Sequence, residues 1–119
     1  MRRRHLIAIA VSLLLFVVVG IHLRSLDGVH GQLLGLMLET DTEFAHDYTD
    51  RAFRLVRPLQ TKDEVLVLLG EPLTKILNRS GSKERWMYSR SPRSTHYRYR
   101  EVRFTDGLVA GKHHHFYID

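Results

Sequence analysis

YRYREVRFTDGLVAGKHHHFYI, residues 97–118, is the stretch that decides the fold. Tyr97, Tyr99, Val102 and Phe104 are spaced among arginines, as in a strand with two different faces. Asp106-Gly107 is the strongest short-range signal for a two-residue hairpin turn, because that turn needs positive φ at both positions. A second strand then returns over 108–118. With Thr105 opposite Leu108, a strict register pairs Phe104 with Val109, Val102 with Gly111, Arg100 with His113 and Arg98 with His115 on one face. The other face pairs Arg103 with Ala110, Glu101 with Lys112, Tyr99 with His114 and Tyr97 with Phe116. Val102, Phe104 and Val109 mark the first face as the core.

Upstream, "ERWMYS" alternates in the same way and adds a strand carrying Trp86 and Tyr88. "TKDEVLVLLGEP" reads as a short helix. Thr61 and Glu64 form a capping box. Val65, Leu68 and Leu69 share a face, Gly70 is placed as the left-handed residue that ends the helix, and Pro72 prevents continuation. A polar turn follows. "TDRAFRLVRP" gives another short helix, with Thr49 or Asp50 as N-cap, Phe53 and Val56 on one side and Pro58 as the stop. Neither helix is long enough to stand alone, so both must pack on the sheet. The expected fold is α+β: two short helices on a three- or four-stranded antiparallel meander, over residues 49–119.

Before that domain come two segments of opposite charge. Residues 1–24 carry Arg2, Arg3, Arg4 and Arg24 and no acid, a charge of +4. Residues 25–48, with the following Thr49-Asp50, hold Asp27, Glu39, Asp41, Glu43, Asp47 and Asp50 without a lysine or arginine, a charge of −6. Residues 51–119 return to +7, so the net +5 is an acidic connector in front of a basic domain that it can partly neutralise. Within the connector, "VHGQLLGLMLET" reads as a short buried or membrane-proximal helix, and "DTEFAHDYTD" as an acidic stretch with a helical turn.

Residues 6–23 contain no acid, lysine or arginine. As a helix they span about 27 Å, close to the hydrocarbon thickness. A cleaved signal peptide is the competing reading, but "VVGIHLRS" has no small-x-small site. An uncleaved single-pass anchor is expected. Three arginines before the helix against Arg24 after it place the N-terminus in the cytoplasm and the domain on the far side.

The ordered set Thr61, Val65, Leu69, Gly70 and Pro72, then Trp86 and Tyr88, then Val102, Phe104 and Gly107 resembles the SmpA/OmlA domain, the fold of the outer-membrane assembly lipoprotein BamE. The likeness covers residues 49–112. It implies a two-helix, three-stranded sandwich in a Gram-negative envelope and a non-enzymatic accessory role in assembling outer-membrane β-barrel proteins. It makes these residues, with Glu64, structural. The chain departs from the family in having no cysteine, hence no lipobox, so its own helix would hold it in the inner membrane with the domain in the periplasm.

The absence of cysteine also excludes disulfides, thiolate metal sites and a cysteine nucleophile. His113 and His115 share a strand face and are the candidate metal pair, but the strict register puts arginines opposite them, so no metal or other cofactor is expected. Ser80, Ser82, Ser89, Ser91 and Ser94 read as turn residues, and no catalytic motif is present, so an enzyme is not expected. Tyr97, Tyr99 and Phe116, beside Arg90 and Arg93, form the expected partner surface, unless the helix near Leu33–Leu38 covers it as a second core. The partner expected is an envelope protein. Anionic lipid headgroups are the alternative ligand, and nucleic acid is not expected outside the cytoplasm.

Overall fold

The computed structural model describes residues 2–38, 41–93 and 95–118. It is an α+β molecule. Helix α1 (Arg2–Arg24) is followed by α2 (Gly28–Met37), strand β1 (Glu43–Phe44), helices α3 (Asp50–Leu55) and α4 (Lys62–Leu69), then β2 (Thr74–Leu77), β3 (Lys83–Met87), β4 (Ser89–Arg90), β5 (Tyr97–Thr105) and β6 (Leu108–Tyr117). Strands β2-β3-β5-β6 form one antiparallel sheet, and β1 pairs with β4 in a small second one.

The helix caps and the hairpin turn form as the sequence predicts. Thr49 caps α3 by accepting from the Ala52 amide at 3.1 Å. Both arms of the Thr61–Glu64 capping box are made, each at 3.2 Å. Gly70 ends α4 at φ 72°, and a Cβ there would meet the Asp47 side chain at 2.7 Å, so only glycine fits. Asp106 and Gly107 both have positive φ, 50° and 80°, as the two-residue turn requires.

Two segments differ from expectation. The polar turn after Pro72 is a hairpin whose first arm, β2, is the fourth strand of the main sheet. Its four residues are exposed, so no buried face marks it in the sequence. The acidic stretch forms β1 rather than a helical turn, because Glu43 and Phe44 pair with Arg90 and Ser89.

The larger correction is register. Thr105 opposes Leu108 and Phe104 opposes Val109 as expected, but Ala110 is then bulged out and Arg103 opposes Gly111. Every pair beyond is displaced by one. Val102 faces Lys112, Glu101 faces His113, Arg100 faces His114, Tyr99 faces His115, Arg98 faces Phe116 and Tyr97 faces Tyr117. A slip of one residue exchanges the faces of a strand. Lys112, His114 and Phe116 therefore point to the helix side, and His113, His115 and Tyr117 to the other.

The exchange has a physical reward. His114 meets Phe53 edge to face at 6.1 Å. The Lys112 ammonium donates to the carbonyls of Phe53 and Arg54, at 2.7 and 3.0 Å, at the end of α3. Phe116 packs under α2, near Gly31 and Gly35. The core lies between α3, α4 and this side of the sheet: Phe53, Val56, Val65, Leu69, Trp86, Tyr88, Val102, Phe104 and Val109, joined by Ala45 from the connector. The Tyr88 hydroxyl donates to the Gly70 carbonyl at 3.0 Å, fixing the helix end to the sheet.

Helix α1 is the one helix among the described residues long and apolar enough to cross a membrane. Its most apolar 18-residue window, within Arg3–Arg24, has a mean hydropathy of 2.8, and none of that window is buried within the protein.

Candidate interaction surface

The helices cover one face of the main sheet and leave the other open. Strand parity and the bulge decide what stands on the open face. It carries Arg85 and Met87 from β3, Tyr97, Tyr99, Glu101 and Arg103 from β5, and His113, His115 and Tyr117 from β6. Tyr97 lies 5.2 Å from Tyr117 and 6.2 Å from Tyr99, ring to ring, and His115 stacks on Tyr99 at 4.7 Å.

Of the partner surface expected from sequence, Tyr97 and Tyr99 come together on this face. Phe116 does not join them, because the bulge turns it to the helix side, where it meets the Arg98 guanidinium at 5.8 Å. Tyr117 and His115 take its place. Arg90 is held by Glu43 through two hydrogen bonds, 2.8 and 3.1 Å, at the β1–β4 pair. Arg93 is exposed, and its backbone amide donates to Asp41 at 3.0 Å. Gly111, beside the bulged Ala110, carries the sequence signal for it: a glycine within a strand pattern often marks a bulge.

At the centre of the open face Glu101 is buried by the groups it binds. It accepts from Arg85 Nε, from Arg103 at 3.1 and 3.3 Å, and from the Tyr99 hydroxyl at 2.7 Å. Arg85 also donates to the Tyr99 hydroxyl at 3.0 Å. Arg85 and Arg103 are direct cross-strand partners, a like-charge pair that Glu101 neutralises. Burial opposes ionisation of Glu101, but the hydrogen bonds from Arg103, Arg85 and Tyr99 outweigh it and hold the carboxyl at about 2.

A folded value below the unfolded one means that the unfolded chain binds the proton first. The contribution of Glu101 is therefore complete above the ordinary glutamate value of 4.5 and is lost as pH falls toward about 2. Urea unfolding of the full-length protein in micelles at pH 6, 4 and 3 should show stability falling across this window, with a shallower fall in Glu101→Gln. Equal pH slopes in the two proteins would remove Glu101 as the source.

The helix face holds a second ionic cluster. Arg100 is fully buried and donates to both oxygens of Asp27, at 2.8 and 3.0 Å, and to Asp50 at 3.2 Å. Arg98 also donates to Asp27. Burial works against the Asp27 charge, yet Arg100 and then Arg98 hold its carboxyl below the ordinary range. Asp41 accepts from the hydroxyls of Ser91 and Thr95 at 2.6 and 2.7 Å. The connector is thus clamped to the basic domain through Asp27, Asp41 and Glu43, whereas Asp47 pairs with His46 inside the connector; Glu39 lies outside the described residues.

The serines are engaged structurally. Ser80 and Ser82 share a 2.8 Å hydrogen bond in the β2–β3 turn, and Ser89 accepts from the Arg100 amide at 2.8 Å. Ser94 and Asp119 are outside the described residues. His113 and His115 do share a face, but the residue opposite His113 is Glu101 rather than an arginine. That carboxylate is committed to Arg85 and Arg103, and among the described residues no group of three or more histidines and carboxylates could hold a metal.

No family model matches the chain, and no curated protein matches it.

Proposed function

We propose that the chain is a non-enzymatic, membrane-anchored binding module of the SmpA/OmlA kind, whose α1 crosses the inner membrane and whose domain meets an envelope protein on the periplasmic side. The observation that carries this reading is the helix-free sheet face, where Tyr97, Tyr99, Tyr117 and His115 lie beside Arg85 and Arg103. Tyrosine and arginine are the side chains favoured at the energetic centres of interfaces. Single aromatic residues on a surface are ordinary; four contiguous rings on a rigid sheet are a docking feature. The orientation follows from the arginines before α1.

A second reading has its own observation. Lys83, Arg85 and Arg103, with Glu84 also in the lining, border a shallow cleft of about 430 Å³ near the Asp106-Gly107 turn, where the two arginines keep donors beyond those given to Glu101 for an anionic headgroup.

A photo-cross-linking amino acid at His115 in the full-length protein, compared with one at Val67 on the outer side of α4, tests the first reading. The His115 position should capture a discrete protein in intact membranes, and Tyr97→Ser/Tyr117→Ser, which leaves Tyr99 on Glu101, should abolish the capture while the domain stays folded. A reporter fused after Ile118 should be active only in its non-cytoplasmic form. Capture from Val67 alone, or a cytoplasmic reporter, overturns the proposal. Cross-linking of His115 to lipid only, lost in Arg85→Gln/Arg103→Gln, favours the headgroup reading.

A further inference from the structure

We infer that α2 is a second membrane contact, lying in the headgroup–acyl boundary of the same bilayer that α1 crosses, with Leu33, Leu36 and Met37 turned into it. The inference rests on the reading of α1 as a spanning helix.

Three observations carry it. The first is an unpartnered apolar stripe. Leu36 is 84% exposed, Met37 81% and Leu33 53%, and their i, i+3, i+4 spacing puts them on one side of the helix. The opposite side is occupied: Gly31 is buried, and Gly31 and Gly35 approach Phe116 and Arg98 at the end of the sheet. The domain therefore offers α2 one support and leaves its most apolar side without cover.

The second is depth. Only Ser25, Leu26 and Asp27 separate α1 from α2. A groove of about 610 Å³ runs between them, with Phe16, Val17, Gly20 and Ile21 on the α1 side and Gln32 on the α2 side. The Gln32 amide donates to the Ser25 hydroxyl at 3.0 Å. So α2 lies beside the last turns of α1, at the level where a spanning helix leaves the hydrocarbon. A short helix with one apolar side at that level lies in the plane of the interface.

The third is rigidity. Asp27, in the turn between the two helices, is buried against Arg98 and Arg100. This fixes α2 to the sheet, so the stripe cannot swing back to cover itself. A lipid surface needs no complementary groove, which suits three flexible apolar side chains with the exposed His30 at their N-terminal edge.

The chain has no cysteine, so single labelling sites can be introduced cleanly. Nitroxides at Leu36→Cys, Met37→Cys, Leu13→Cys and Val67→Cys would be compared in the full-length protein, reconstituted in phosphatidylcholine–phosphatidylglycerol vesicles. Collision with oxygen is read against collision with a water-soluble nickel chelate. Leu13 lies mid-helix in α1, and Val67 is 87% exposed on α4 as the water reference. The ratio at Leu36 and Met37 should exceed that at Val67 several-fold and approach that at Leu13. Leu13 lipid-like with Leu36 and Met37 matching Val67 overturns the inference alone. Strong spin–spin broadening at Met37 with little access to either reagent means that a second copy covers the stripe, which also overturns it. A water-like Leu13 removes the spanning reading, and this inference falls with it.

Discussion

Replacing Arg100 with alanine is expected to destabilise the full-length protein by about 3–5 kcal/mol, because it leaves the Asp27 carboxylate buried with half its partners gone. Arg100 is fully buried, and both of its ends of contact, Asp27 and Asp50, belong to the segment that precedes the sheet. The single tryptophan, Trp86, lies in the core, so its fluorescence in urea reports the transition directly. The charge pair itself need not be a net gain over an apolar contact. Asp27→Leu combined with Arg100→Met should therefore recover part of the loss, since no carboxylate is then stranded, although Arg98 loses its own bond to Asp27. A midpoint for Arg100→Ala within error of the parent would mean that Asp27 finds water or another cation without cost.

Truncating the core aromatics should have an effect of the same size. Trp86 and Phe104 lie 4.6 Å apart, ring to ring, on neighbouring strands beneath the helices. Phe104→Ala and Trp86→Ala are each expected to cost about 3–5 kcal/mol, from lost burial and the cavity left behind. Trp86 has further ties: its indole N–H donates to Glu84 at 2.7 Å, and the Lys75 ammonium sits 4.8 Å from its ring. A domain of this size has about 5–15 kcal/mol in total, so either change consumes a large part of it. Circular dichroism through a thermal ramp is the measurement, because Trp86→Ala removes the fluorescent probe. Melting near the parent temperature in both variants would contradict the core as described.

What could be read from the sequence was local chemistry. The Thr61–Glu64 box, Gly70, the Asp106-Gly107 turn and the apolar side of β3 and β5 each declare themselves within a few residues. What could not be read depended on distance. The strict alternation of β6 predicts the wrong face for every residue past Val109, because one bulged alanine is invisible to a period-two pattern. Strand β2 has no buried side and so no alternation to detect. The charge asymmetry pointed to neutralisation of the connector by the domain, but nothing local says that Asp27 belongs to Arg98 and Arg100. The partner surface was half legible for the same reason: Tyr97, Tyr99, Glu101 and Arg103 share a face by the alternation of β5 alone, whereas Tyr117 and His115 depend on the bulge in β6 and Arg85 on the β3–β5 register.

The Asp27–Arg100 contact also sets an order of events during synthesis. Asp27 emerges early, and its partners follow 71 and 73 residues later. Until β5 has been made, the first acid beyond the apolar helix has no cation to close on, and the long loop between them must be gathered in a single late step. The nascent chain therefore waits, with Asp27 unpaired, for its penultimate strand. A molecule cut short before Arg98 would lose more than a strand: Asp27 would never meet either of its arginines.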